Sequence, residues 1–285
     1  MNKNNPTPAL LLRLKTLLPT LSRAEKKVVE YILDNSEAVI HLSVSGLAEN
    51  SGVSDATVVR TCQNIGFDGF QHFKVTLAQD IVTPLQSIHE EIDYTDSAEE
   101  IIDKVFQGTL HTLNFTHTVL SVSVIESAVN ALMQAENVYI YGLGNSQAIS
   151  MDLQHKLLRL GMHAYAFIDS HIQTIVATHT TKKDVIFAIS HSGSTVDVVE
   201  SAKIAKKNGA TVISLTNIGS SPLSKISDIK LYTASKETKY RIVAMNSRIA
   251  QMTIIDAIYT IIATRTPNIS NKFHDIEEAL ETKKY

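Results

Sequence analysis

The chain has 285 residues, of which 44% are hydrophobic and 19% charged, and its net charge is −3. This length predicts about two domains of roughly 150 residues, and the composition is that of a globular protein. The single cysteine, Cys62, excludes an intrachain disulfide framework and a cysteine-based zinc cluster. The apolar runs 9–12 and 252–263 are too short for a signal peptide and a membrane span, so we expect a cytoplasmic protein with no membrane partner.

Residues 1–80 have the apolar spacing of short helices joined by tight turns. Ser22 and Glu25 form a capping box at the start of a helix predicted over 22–35. The segment contains eight Lys or Arg residues and eight Asp or Glu residues. Because its net charge is zero, it lacks the basic character usual in nucleic-acid binders, and DNA binding must depend on geometry. Further helices are predicted around 47–48, over 54–65 and from about residue 70.

The stretch 47–66 has the pattern of a helix-turn-helix. Ala48 is a small residue that lets two helices cross steeply, and Gly52 permits the left-handed backbone of the turn between them. Ser54 is a favourable N-cap for the second helix, and Gly66 ends that helix. The pattern predicts a DNA-binding motif. The alternative is an ordinary helical hairpin whose polar face meets only water.

The second helix of this motif has an apolar face and a polar face. Val58, Cys62 and Ile65 lie three or four residues apart and are predicted to pack inward, with Cys62 a buried apolar residue rather than a redox sensor. On such a helix Arg pairs with guanine and Asn with adenine, while Ser and Thr contact phosphates or base edges. The residues predicted to face DNA are Ser54, Asp55, Thr57, Arg60, Thr61 and Asn64.

The composition changes after residue 80. The sequence HEEIDYTDSAEE at 89–100 has six carboxylates and no Lys or Arg, which indicates a solvated linker. Helical spacing then returns twice over 97–135. We therefore predict a helix-turn-helix domain over 1–80, a linker with a connecting helix over 81–120, and a second domain over 121–285.

From residue 137 onwards, apolar runs alternate with helical patterns. Runs rich in β-branched residues that alternate with helices predict a parallel sheet, buried on both faces, in a three-layer α/β domain. The predicted strands are 138–141, 163–167, 185–189, 212–215 and 229–232. The predicted helices are at about 146–160, 171–178, 196–208, 221–226 and 244–264.

Two loops that follow predicted strands are rich in small and hydroxyl-bearing residues. The first is Gly142–Ala148 and the second is Ser190–Thr195. Both precede helices, so their backbone amides converge where an anion is stabilised. The dense Ser and Thr hydroxyls of the second loop suit a phosphate monoester. The alternative for each loop is a solvent-exposed turn.

A dinucleotide site is a further alternative for the first loop. Gly142 and Gly144 follow a strand, and Asp169 lies where a ribose-binding acid would be. Gln147, however, stands at the third glycine position, where its side chain would crowd the packing of helix on strand. Since the glycine pattern is incomplete, we expect no cofactor. The eleven histidines include no metal-spaced pair, so we expect no metal either.

Three motifs, in this order, resemble one family of bacterial proteins. Residues 1–80 resemble the N-terminal domain of RpiR-family transcription regulators, including the turn at 66–70. Residues 137–262 resemble the sugar isomerase (SIS) domain, whose phosphate loop Ser-x-Ser-Gly-x-Thr is matched throughout by 190–195. Residues 247–256 resemble the C-terminal helix of the same family.

The resemblance implies a flavodoxin-like five-stranded parallel sheet, a homodimer or homotetramer, and control of a sugar-catabolism operon. It also implies two partners, a double-stranded DNA operator and a phosphorylated sugar, with an amino-sugar 6-phosphate among the candidates. By the same resemblance, the phosphate ligands are Ser146, Ser190, Ser192 and Thr195. Candidates for sugar contacts are Asn145 and His191, which lie in the two loops, and Glu237, which follows the last strand.

Two classes of function fit these sites: a regulator that binds a sugar phosphate, and an aldose–ketose phosphate isomerase. An isomerase needs a base that moves a proton between adjacent carbons, and Glu237 is the only obvious carboxylate for that role. A fused helix-turn-helix serves regulation and has no role in isomerisation. We therefore predict a regulator without catalytic residues, with a dinucleotide-sensing regulator as a further alternative.

Overall fold

The computed structural model describes residues 9–40, 42–78, 92–235, 245–281 and 283. These residues form two compact units, one ending at Val119 and the other beginning at Leu120. Each unit has its own hydrophobic core.

The N-terminal unit is helical, as the apolar spacing predicts. The capping box is confirmed: the Ser22 amide donates to the Glu25 carboxylate at 2.9 Å, and the Glu25 amide donates to the Ser22 hydroxyl at 3.5 Å. The helices are α1 (Ala9–Leu17), α2 (Arg23–Asp34), α3 (Ser36–Val39), α4 (Val44–Ser51), α5 (Asp55–Asn64), α6 (70–78) and α7 (Ala98–Val119), with a 3-10 turn at Leu18–Thr20.

Helix α1 is not among the elements predicted from the sequence. Its side chains Leu10 and Leu14 are buried in the core of the N-terminal unit. That core also includes Val28, Val29 and Ile32 of α2, the spacing of which predicted that helix. Packing on α2 therefore explains why the short run at 9–12 is helical.

The C-terminal unit alternates strands and helices, as predicted. Its strands are β1 (Asn137–Gly142), β2 (Ala164–Phe167), β3 (Asp184–Ile189), β4 (Thr211–Asn217) and β5 (Ile229–Thr233). Its helices are α8 (Val122–Gln134), α9 (Ser146–Arg159), α10 (Ser170–His179), α11 (Val196–Lys207), α12 (Pro222–Ile226), α13 (Met245–Arg265) and α14 (Ile269–Glu281).

The five strands form one parallel sheet in the order β2-β1-β3-β4-β5, which confirms the predicted flavodoxin-like topology. Helices α8, α9 and α13 cover one face, where the larger core lies. Helices α10, α11 and α12 cover the other. Strand β3 is buried along its whole length, as expected for a strand covered on both faces.

The parallel pairing of β1 with β3 places the carboxyl ends of these two strands side by side, since Gly142 pairs with Ile189. The strand order reverses at this pair, since β2 lies on one side and β4 on the other. In open α/β sheets, ligands bind outside the carboxyl ends of the strands at this reversal. The loops after β1 and β3 therefore meet where a ligand site is expected.

No helix among the described residues combines the length and the hydropathy that crossing a bilayer requires.

Candidate DNA-binding helix and phosphate site

Helices α4 and α5 are joined by the tight turn that the sequence predicts. Gly52 has φ of 63°, in the left-handed region, and the amide of Val53 donates to the carbonyl of Ala48 at 3.0 Å. Ser54 caps α5, since its hydroxyl accepts from the amide of Thr57 at 3.3 Å. The two helices thus have the arrangement of a helix-turn-helix, with α5 in the position of the recognition helix.

The inward face of α5 is as predicted. Val58, Cys62 and Ile65 are all buried in the core of the N-terminal unit. Burial raises the pKa of the Cys62 thiol to about 12, so this thiol stays protonated in neutral solution. Cys62 therefore behaves as a small apolar core residue, in agreement with its prediction.

The prediction that Thr61 faces DNA is wrong. Thr61 is fully buried, and its hydroxyl donates to the carbonyl of Thr57 at 2.7 Å. The reason is its position: Thr61 lies three residues after Val58 and directly before Cys62, so it shares their buried face. Its hydroxyl is satisfied by the helix backbone and does not reach a base.

The other predicted DNA-facing residues lie on the solvent side of α5. Arg60 is exposed, and Ser54, Asp55 and Asn64 are also exposed, while Thr57 is half-buried. Two of these side chains are bonded to other helices of the unit. Asp55 accepts from the Ser45 hydroxyl at 2.6 Å, and Asn64 donates to the Glu25 carboxylate at 2.5 Å.

The sequence reasoning missed Gln63. It is exposed on α5, three residues after Arg60 and seven after Ala56, which is also exposed. Residues at this spacing lie on one line along a helix. The helical period that identified the buried face could have identified this line as the middle of the exposed face.

The loop after β1 is held close to the start of α9. A Cβ at Gly142 would lie only 2.9 Å from the carbonyl oxygen of Ser146, so only glycine fits this approach of strand to helix. Ser146 begins α9 and is buried, and its amide donates to the carbonyl of Leu143 at 3.1 Å. Asn145, beside it, is exposed.

The loop after β3 is a tight turn at the start of α11. The amide of Gly193 donates to the carbonyl of Ser190 at 3.0 Å, and the amide of Leu223 in α12 donates to the carbonyl of Gly193 at 2.9 Å. Ser190 is buried, and its hydroxyl lies 3.0 Å from that of Thr195. The loop is therefore fixed by bonds to its own backbone and to α12.

The hydroxyls of this loop face different surroundings. Ser192 is exposed, Thr195 is half-buried as the N-cap of α11, and the Ser192 hydroxyl accepts from the amide of Ser194 at 3.2 Å. His191 is half-buried, and its carbonyl accepts from the amide of Asn217 at 2.8 Å. Glu237, the third candidate for a sugar contact, lies outside the described residues.

Asp169, considered above as a ribose-binding acid, caps α10. Its carboxylate accepts from the amide of Ile172 at 3.0 Å. This bond accounts for its position after β2 without a nucleotide. Among the residues that the structure describes, no group of three or more His, Cys, Asp or Glu side chains is arranged to hold a metal ion.

A helix-turn-helix unit followed by a flavodoxin-like domain with a Ser-x-Ser-Gly-x-Thr loop defines the class of transcriptional regulators that carry a SIS domain. Comparison with known proteins bears this out along the chain. The helix-turn-helix domain of the rpiR family matches residues 9–84, and the SIS domain matches residues 131–261.

Relatives extend over nearly the whole chain. The regulator HexR of Pseudomonas aeruginosa is 34% identical over 256 residues, which cover 90% of each chain, and the regulator RpiR of Escherichia coli K12 is 31% identical over 243 residues, which cover 85% of this chain and 82% of RpiR. The structure of Vibrio vulnificus NanR complexed with ManNAc-6P matches with a TM-score of 0.62 and 29% identity, over 96% of this chain and 99% of NanR.

The chain therefore belongs to the RpiR family of helix-turn-helix transcriptional regulators. This confirms the predicted resemblance, fold and class. The isomerase alternative is set aside, because the relatives that match along most of the chain are named as regulators.

Proposed function

We propose that this regulator binds a double-stranded DNA operator through α5 and senses a phosphorylated sugar at the loops after β1 and β3, and that it controls a sugar-catabolism operon. The observation that carries the sensor assignment is the 190–195 loop. It places the hydroxyls of Ser190, Ser192 and Thr195 at the start of α11, beside the loop of Ser146 across the β1–β3 pair.

The chemistry of this place suits a phosphate. The first amides of a helix have no partner within the helix and carry a partial positive charge, so an anion is stabilised there. Hydroxyl groups add hydrogen bonds to its several oxygens. The complex of the related NanR with ManNAc-6P supports a phosphorylated amino sugar as the first candidate to test.

Replacing Ser192 with alanine is expected to weaken binding of the phosphorylated sugar roughly 10- to 150-fold, because a hydrogen bond to a charged group contributes about 1.5–3 kcal/mol. The matched control is Ser194→Ala, since Ser194 is exposed in the same loop and its hydroxyl donates to the Ser192 carbonyl. Isothermal titration with hexose and hexosamine 6-phosphates, and with the corresponding free sugars, measures both effects. Equal binding of free and phosphorylated sugars, or wild-type affinity in Ser192→Ala, refutes the sensor assignment.

Replacing Arg60 with alanine is expected to remove about 1–3 kcal/mol of operator binding and to relax the base preference at one position, as loss of one bidentate base contact does. Footprinting and competition with a scrambled sequence measure the two quantities. Lys207→Ala, which removes the same charge from an exposed site on α11, is the control. If Arg60→Ala keeps the affinity and the preference of the wild type, α5 is not the surface that reads DNA.

A further inference from the structure

Helix α5 is held at both borders of its exposed face by bonds to other helices. At its first turn, the Ser45 hydroxyl of α4 donates to Asp55 at 2.6 Å. At its last residue, Asn64 donates to Glu25 of α2 at 2.5 Å. Just beyond, the Arg13 guanidinium of α1 donates to the carbonyl of Ile65 at 2.8 Å. These contacts fix the position and rotation of α5 on the unit.

The bond to Asn64 is stronger than an ordinary amide contact. Glu25 is 7% exposed, and its two carboxylate oxygens accept separately from the amide of Ser22 and the side chain of Asn64. Hydrogen bonds from Ser22, and then that from Asn64, lower the pKa of Glu25, so it is ionised in neutral solution. A donor to a buried, ionised carboxylate makes a charge-assisted bond, which turns the Asn64 amide toward α2.

The line of Ala56, Arg60 and Gln63 lies between those two borders. All three are exposed, and their spacing of four and three residues puts them on one stripe of the helix. Gln, like Asn, can bind adenine through both amide atoms, and Ala can contact the methyl group of thymine. The stripe therefore offers groups that can contact thymine, guanine and adenine without Asn64.

We propose that Gln63 is the amide side chain that reads the operator beside Arg60, and that Asn64 is a positioning residue that fixes α5 through Glu25. The proposal rests on the function proposed above for α5. It assigns to Gln63 the discrimination of one base pair next to the one read by Arg60, and it assigns to Asn64 no base of its own.

The test compares the base preferences of Gln63→Ala, Asn64→Ala and Arg60→Ala in the full-length protein, by competition among operators that each carry one altered base pair. Gln63→Ala is expected to lose roughly 5- to 150-fold of discrimination at one base pair. Asn64→Ala is expected to weaken all operators alike and to keep the preference profile. Lost discrimination in Asn64→Ala together with an unchanged profile in Gln63→Ala overturns the proposal.

The positioning role of Asn64 has a separate readout. Glu25→Ala and Asn64→Ala remove the same contact. The operator affinity of the double variant is therefore expected to equal that of the single variant with the lower affinity. Ser22→Ala removes the cap of α2 but leaves the contact with Asn64, so it controls for loss of stability. Additive losses from Glu25→Ala and Asn64→Ala overturn this role. An unchanged base preference in Arg60→Ala refutes the proposed function of α5 itself. A relaxed base preference in Arg60→Ala together with an unchanged one in Gln63→Ala refutes only this inference.

Discussion

Replacing Gly193 with alanine is expected to abolish binding of the phosphorylated sugar and to destabilise the C-terminal unit by roughly 2–5 kcal/mol. Gly193 has φ of 61°, in the left-handed region, where a side chain costs about 1–2 kcal/mol. A Cβ there would also overlap Ser221, whose Cβ would be 2.6 Å away, and would lie 3.2 Å from Thr216. Relief of such overpacking costs about 1–3 kcal/mol more and displaces the loop.

Two further variants separate strain from overlap. Gly209 has φ of 98°, and a Cβ there meets Lys182 at an ordinary 3.5 Å. Gly209→Ala therefore adds the backbone strain alone, outside the 190–195 loop, and is expected to bind the sugar phosphate normally. Ser221→Gly in the background of Gly193→Ala removes the overlapping atoms and is expected to restore part of the binding. Titration calorimetry and urea unfolding measure the two effects, and wild-type affinity in Gly193→Ala would show that this loop does not hold the phosphate.

A palindromic operator is expected to bind the full-length protein at least about a hundredfold more tightly than a single half-site. Residues 1–80 have no net charge, so one copy is expected to neutralise few phosphates and to bind DNA weakly. In a homo-oligomer, binding of the second copy becomes intramolecular, which raises the overall affinity by about 10²–10⁴.

The spacing between half-sites provides the control for this gain. Half-sites about one helical turn apart, or a multiple of it, present the same face of the DNA to both recognition helices. Insertion of about half a turn between them is expected to lower the affinity to that of a single half-site. Gel-shift titration on a spacing series, with sedimentation to establish the oligomeric state, measures the effect. A protein that sediments only as a monomer and binds one half-site tightly contradicts this expectation.

Local signals were sufficient to predict most of the secondary structure. The capping box of Ser22 and Glu25, the cap at Ser54 and the turn at Gly52 depend on residues close in the chain, and each is found where the sequence predicts it. The alternation of buried strands with helices likewise determined the parallel sheet, because a strand covered on both faces must be apolar throughout. Helix α14 was not predicted, although Ile269, Phe273, Ile276 and Leu280 recur at helical spacing within it.

The details of the sites were decided by contacts between residues far apart in the chain. Asn64 is bonded to Glu25, 39 positions away, so its polar character did not reveal whether it faces DNA or a neighbouring helix. Gly193 is required because Ser221 packs against it, a contact made across the start of α12. The sequence by itself determined the class, the order of the five strands with the helices between them, and the residue types at the two loops. Only the tertiary structure decided which polar groups are free for a partner, because a hydrogen bond depends on distances that folding sets and local sequence does not.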